Sequence, residues 1–151
     1  MSRQSTDFTR SLITTTTGGA WTLAVKPTKN TTYRARWKSA GSASISVSVA
    51  PRIQLRKLAT RRFAVRALAA QSFAGKLGVF QRYSTATRTW VRVRFVVLRA
   101  GGAASLPLPG TIVSKATFRS KVKARRRVRV VMTQTQVGAC YSAGRSNVIR
   151  S

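Results

Sequence analysis

The sequence predicts an all-β protein of antiparallel strands, and three observations carry that expectation. The first is the run WVRVRFVVL at residues 90–98. Val91, Val93, Phe95 and Val97 fall on one side of an extended strand, and Arg92 and Arg94 on the other. A period of two in β-branched and aromatic residues marks a strand with one buried face. The second is recurrence of the same device. Arg127 and Arg129 alternate with Val128, Val130 and Met132; Arg119, Lys121 and Lys123 alternate with Phe118, Ser120 and Val122; Arg34 and Arg36 alternate with Tyr33, Ala35 and Trp37. The third is that no helix of usual length is indicated. Residues 56–71 hold many helix formers, yet Phe63, Val65 and Ala67 alternate and read as strand.

In chain order, residues 1–6 are polar, and residues 7–14 form a weak strand with Phe8, Arg10 and Leu12 on one side. After a Thr-Gly turn, residues 20–25 read as a strand with Trp21, Leu23 and Val25 inward. Pro27 closes it in a turn over 26–30. Residues 31–38 form the next strand, 39–43 a small-residue hairpin loop, and 44–49 a strand with Ile45, Val47 and Val49 inward. Pro51 then removes a backbone donor, so a regular ladder breaks or changes partner there.

Beyond Pro51, strands are expected at residues 53–57, 62–68, 76–83, 90–98, 115–122, 127–133 and 145–150, with longer loops over 99–110 and 134–144. Seven strands in about 100 residues is the count of an immunoglobulin-like antiparallel β-sandwich. The expected organisation is a partial domain over 1–50, holding last strands only, and a complete seven-stranded domain over 51–151. An internal echo supports it. Trp21, Val25 and Tyr33 match Phe118, Val122 and Val130 at a constant offset of 97 residues. A few strands alone leave apolar surface uncovered. The partial domain is therefore expected to pack on its neighbour, on another protein or second copy, or on further strands.

Charge is the anomaly of the composition. There are 29 Lys and Arg against one acid, Asp7, for a formal net charge of +28, with no Glu and no His. The basic residues are interleaved with apolar ones at strand period, which sets the chain apart from disordered polycations. Such a surface attracts polyanions: nucleic acid, anionic lipid or acidic cell-wall polymer. The same inventory argues against catalysis, because general acid–base work, a Ser–His–acid triad and paired carboxylates all need groups that are missing. No catalytic residue, metal site or cofactor is expected, and no phosphate-cradling glycine loop occurs. Cys140 is alone, so an intrachain disulfide is excluded; it reads as an inert small residue. No run approaches the roughly 18 apolar residues of a transmembrane helix. The first residues lack a signal peptide's apolar core, so the expectation is either an intracellular protein or a piece or processed form of an exported one.

Several runs add a resemblance. NTTYRARW at 30–37, SASISVSVAPRIQL at 42–55, SFAGKLGVFQRY at 72–83, TRTWVRVRFVVL at 87–98 and GACYSAGRSNVIRS at 138–151 are similar to tandem immunoglobulin-like domains of exported bacterial proteins, especially those of actinobacteria. Within them, Gly75-Lys76, Gln81-Arg82, Trp90-Val91, Tyr141, Gly144 and Ser146 stand where that group has its scaffold positions. The resemblance implies a sandwich fold, an extracellular or cell-surface location, and a spacer, adhesion or binding role. The expected function is a non-catalytic structural or adhesive module whose basic surface contacts anionic polymers. The alternative is a nucleic-acid-binding or coat-like β protein.

The candidate polyanion-binding residues are Arg92, Arg94, Arg119, Lys121, Lys123, Arg125, Arg126, Arg127 and Arg129. They come from three predicted strands and their flanks, and neighbouring strands would merge them into one continuous cationic surface. A purely solvated face that blocks edge-to-edge aggregation is the competing explanation. Against it, 22 of the 29 basic residues lie from Arg52 onward, and arginine, whose planar fork fits phosphate and carboxylate, predominates. Trp21, Trp37 and Trp90 read as core or half-buried strand aromatics rather than stacking platforms.

Overall fold

The computed structural model describes residues 18, 20, 22–104 and 110–151. The strand expected over 7–14, together with Asp7, Trp21, Pro107 and Pro109, lies outside the described residues. The described chain is almost entirely strand and connection. Its strands are β1 (Thr31–Tyr33), β2 (Arg36–Trp37), β3 (Ala40–Gly41), β4 (Ile45–Val47), β5 (Arg52–Ala59), β6 (Arg62–Ala69), β7 (Leu77–Ser84), β8 (Thr89–Val97), β9 (Arg99–Ala103), β10 (Ile112–Arg119), β11 (Arg127–Met132), β12 (Gly144–Arg145) and β13 (Ile149–Arg150). The only helix among the described residues is a single turn, α1 (Gln134–Val137), inside the loop before β12.

Two antiparallel sheets make the body. One runs β5-β6-β10-β9 and the other β12-β11-β7-β8, with β13 also paired to β11. They face each other across one apolar core. Ile53, Leu55, Phe63, Val65 and Phe118 come from the first sheet, and Phe80, Val96, Val128, Val130 and Met132 from the second. Phe63, Phe80 and Phe118 interlock at the centre with ring centroids 4.9–5.8 Å apart. The alternation on β11 is realised as read: Val128, Val130 and Met132 are buried and Arg127 is exposed.

Side-chain hydrogen bonds seal what the ladders leave open. The Ser114 hydroxyl accepts from the Phe73 amide at 2.8 Å, and the Tyr141 hydroxyl accepts from the Ala70 amide at 2.8 Å. The segment between β12 and β13 joins the two sheets. The Ser146 amide donates to the Val130 carbonyl, while Asn147 accepts from the Leu55 amide and donates to the Leu55 carbonyl on β5. An amide side chain here imitates a strand neighbour, which satisfies backbone groups that burial would otherwise make costly.

The leading strand of the sequence departs from its expected facing. Phe80 pairs with Arg94 and Gln81 pairs with Arg92, so Val93 has no ladder partner and β8 carries a bulge. A one-residue insertion exchanges the faces of everything after it. Val93 still packs against the core, but Phe95 and Val97 turn outward, 47% and 54% exposed, and Val96 and Leu98 take the buried positions. Val91 sits at the rim, 37% exposed. Further boundaries differ: the strand expected over 115–122 runs from Ile112 to Arg119, which leaves Lys121 and Lys123 in the connection after it. Residues 99–103 form β9 where a loop was expected, because the chain crosses between sheets at the buried Leu98, whose carbonyl accepts from the Gly75 amide. The last strand is split into β12 and β13 around Asn147.

Residues 18–50 are thinly structured. β1 pairs with β4 and β2 with β3, while Leu23 and Val25, expected as inward strand residues, are exposed and lie outside any strand. Asn30 fastens this segment to the body. Its amide donates to the Cys140 carbonyl, its side chain donates to the Ala139 carbonyl, and it accepts from the Val49 amide. Trp37 and Ile45, both expected inward, are 74% and 67% exposed.

Candidate polyanion interface

The second sheet's outer face is organised by cross-strand rows. In one row Arg127 lies beside Tyr83, which pairs with Trp90; in the next, Arg129 pairs with Gln81, which pairs with Arg92. Residues paired across strands share a face. Val128 and Val130 therefore hold the core while their arginine neighbours project outward onto a strip of aromatics. The Arg129 guanidinium lies 4.1 Å from the Trp90 ring centroid, and its Nε donates to Gln81 Oε1 at 2.9 Å. Arg127 lies 5.1 Å from the Tyr83 ring and 6.0 Å from Trp90, and the Tyr83 and Trp90 rings meet edge to face at 5.4 Å. Arg92 lies over the outward-turned Phe95 at 4.9 Å. Each contact adds about 0.5–1 kcal/mol at an exposed site and holds the planar fork in one orientation. Burial and then the neighbouring Arg145 draw the Arg129 guanidinium below its ordinary pKa.

The nine candidate residues do not form one continuous face. The bulge leaves Arg92 outward with the aromatics, whereas Arg94, beyond it, turns to the sandwich edge. There its guanidinium lies 5.8 Å from the Phe118 ring and donates to the Arg119 carbonyl at 2.7 Å, bridging the two sheets. Arg119 stands on β10 in the first sheet. Lys121, Lys123, Arg125 and Arg126 follow in the exposed connection from β10 to β11, with Arg125 and Arg126 held by the Ser151 carbonyl and hydroxyl. The three strands are not neighbours: β7 separates β8 from β11, and β10 lies in the other sheet.

Sequence reading left out the aromatic half of this face. Tyr83 and Phe95 carried no functional expectation, and Trp90 was read as core or half-buried strand packing. The cross-strand register joins them to the arginines, and that register depends on the bulge. Among the described residues no helix is long and apolar enough to cross a membrane, and no acidic side chain stands near any of the arginines named here. The chain matches no protein family, no curated protein and no solved structure.

Proposed function

We propose that this chain is a non-catalytic immunoglobulin-like module that acts as a structural or adhesive element at a bacterial surface, where its basic faces hold anionic polymers through charge. The strand order supports the immunoglobulin-like reading: β5-β6-β10-β9 fits the four-stranded sheet of such domains, and β12-β11-β7-β8 fits their three-stranded sheet with β8 added at one edge. The observation that carries the polymer-holding role is the row of arginines pre-positioned on aromatic rings, with no carboxylate among the described residues in contact to neutralise them. Fixed, unpaired guanidinium groups lose little side-chain entropy when an anionic oxygen arrives. The non-catalytic reading rests on the missing acids and histidines. A depression of about 420 Å³ between Thr28, Val49, Arg52, Leu68 and Thr111 has Arg52 as its one charged group among the described residues.

The test is a pair of measurements: binding of purified cell-wall polymer over a salt series, and protease accessibility of the protein on intact cells. Binding that weakens steadily with salt, together with cleavage on intact cells, is expected. Protection from protease in intact cells, with cleavage only after lysis, would remove the surface assignment. A second reading, with the arginines neutralising nucleic-acid phosphates in a binding or coat-like protein, is favoured by the stacked guanidinium groups, and co-purified nucleic acid would promote it.

A further inference from the structure

We infer that the outer face of the second sheet is a platform for single-stranded nucleic acid, with Trp90, Tyr83 and Phe95 as stacking groups and Arg92, Arg127 and Arg129 as phosphate-binding groups. The inference rests on the polyanion-binding reading and narrows it to one ligand class and one face. Its basis is the juxtaposition of flat rings and guanidinium planes on an open sheet. Single strands expose both unstacked bases and phosphates, and proteins take them up by stacking bases on aromatic side chains or on Arg planes beside a cationic track. Here Arg129 lies 4.1 Å from the Trp90 ring centroid with its Nε committed to Gln81. Its terminal amino groups remain for a phosphate oxygen. Arg127 and Arg129 stand two residues apart on β11, a repeat of about 6.7 Å along a strand, so successive anionic groups of an extended chain meet successive arginines.

Two features separate this ligand from other polyanions. A duplex buries its base faces and is read by a helix or ribbon that enters a groove, which an open sheet face cannot do. A sulfated or carboxylated glycan satisfies the arginines but offers no π-face to Tyr83, Trp90 and Phe95. The outward turn of Phe95 also gains a role: the bulge at Val93 moves an aromatic from the core side to the arginine side of β8, 47% exposed and under Arg92. Bulges re-aim side chains at the edges of sheets in this way.

The experiment uses the full chain and three fluorescein-labelled probes: an oligo-dT strand, a duplex of equal length, and heparin. Anisotropy titrations near physiological salt are expected to rank oligo-dT tightest. Trp90→Leu, which changes no charge, is expected to weaken oligo-dT binding by about 5- to 150-fold, the range for losing one base stack, and to leave heparin affinity where it was. Lys121→Ser with Lys123→Ser, removing two charges away from the rings, weakens all three probes alike. A second measurement needs no change at the face. In a Trp21→Phe, Trp37→Phe background, Trp90 is the sole tryptophan, and its fluorescence is expected to be quenched by oligo-dT and not by heparin. Unchanged oligo-dT affinity in Trp90→Leu, or quenching absent at saturation, overturns the platform while heparin and duplex binding keep the polyanion reading intact. If none of the three probes binds even at low salt, the underlying polyanion reading fails with it.

Discussion

Two strands in this molecule stand at an offset of 97 residues, and their matched positions meet opposite fates. In β11, paired with β13, Val128 and Val130 are fully buried. In β1, paired with β4, the matching Thr31 and Tyr33 are only half-buried, and Ile45 across from Tyr33 is 67% exposed. Both strands pair antiparallel with a short partner. What differs is company: β11 has β7 on its other edge and the β5-β6-β10 sheet across the core, while β1 has β4 alone. Alternation makes a strand, but a second sheet and a central position make it buried. Two-stranded ribbons are marginal in water for that reason.

The largest expected difference between the two regions is energetic. Phe80→Ala opens a cavity among Phe63 and Phe118 and is expected to cost about 3–5 kcal/mol. Trp37→Ala, at 74% exposure, is expected to stay within about 0.5 kcal/mol. Urea unfolding monitored by circular dichroism measures both. A cost for Trp37→Ala approaching that of Phe80→Ala would break the comparison, because it would mean that the hairpin's apolar surface is covered in solution. Next in size are the two asparagines that stitch each region. Asn147→Ala strips the Leu55 amide and carbonyl of their partner and is expected to cost about 1–3 kcal/mol globally. Asn30→Ala is expected to act locally, with faster hydrogen exchange at the Val49 and Ser142 amides and little change in the urea midpoint. An equal global cost for both would show that residues 18–50 unfold together with the body.

Much of the body was legible because its signals are local. The buried runs on β6 and β11 follow the period of two, and Pro51 stands just ahead of the long strands. The facing of β8 was not legible. The run alternates cleanly from Val91 to Phe95 and then ends in apolar residues on both sides, so nothing in it marks Val93 as the extra residue; with the bulge, Val96 and Leu98 join Phe80 in the core. The strand at Arg99–Ala103 was hidden for a related reason: RAGGA has turn composition, and it becomes a strand through pairing with β10. The candidate site suffered most. Basic residues announce themselves in sequence, but whether Arg92 and Arg94 share a face is a matter of register, and they do not.

A smaller effect separates backbone from charge in the turns. Lys38, Arg61 and Arg88 adopt positive φ, between 52° and 59°, in the connections between paired strands, and Arg125 does so at 63° in the crossover from β10 to β11. Glycine is at ease there, and a Cβ costs about 1–2 kcal/mol. Arg61, between β5 and β6, tests this in the body, and Lys38, between β2 and β3, tests it in the thin segment. Arg61→Gly and Arg61→Ala remove the same charge, so their difference isolates conformation; Gly is expected to be more stable by about 1 kcal/mol, read from urea midpoints. The same pair at Lys38 is expected to leave the global midpoint unmoved. A global response there would erase the distinction between the regions.

The smallest expected effect is an absence, and it covers both regions at once. Stability changes with pH only where folded and unfolded states bind different numbers of protons. Acid unfolding ordinarily works through carboxylates and histidines, and this sequence has Asp7 as its one acidic side chain and no histidine. The urea midpoint is therefore expected to stay nearly level from about pH 7 down to about pH 3 at constant ionic strength. The alkaline side differs. Burial raises the Tyr141 phenol above its ordinary value, partly opposed by the Ala70 amide hydrogen bond and reinforced by nearby Cys140. With the folded pKa above the unfolded one, its contribution is complete below about pH 10 and is lost as pH climbs through the folded value. Tyr141→Phe is expected to blunt that loss while lowering stability at neutral pH, since the Ala70 amide loses its acceptor. A steep acid transition instead would mean that self-repulsion among the arginines is held in check at neutral pH by bound anions that acid removes. That result would point back to the arginine–aromatic face of the second sheet as their seat.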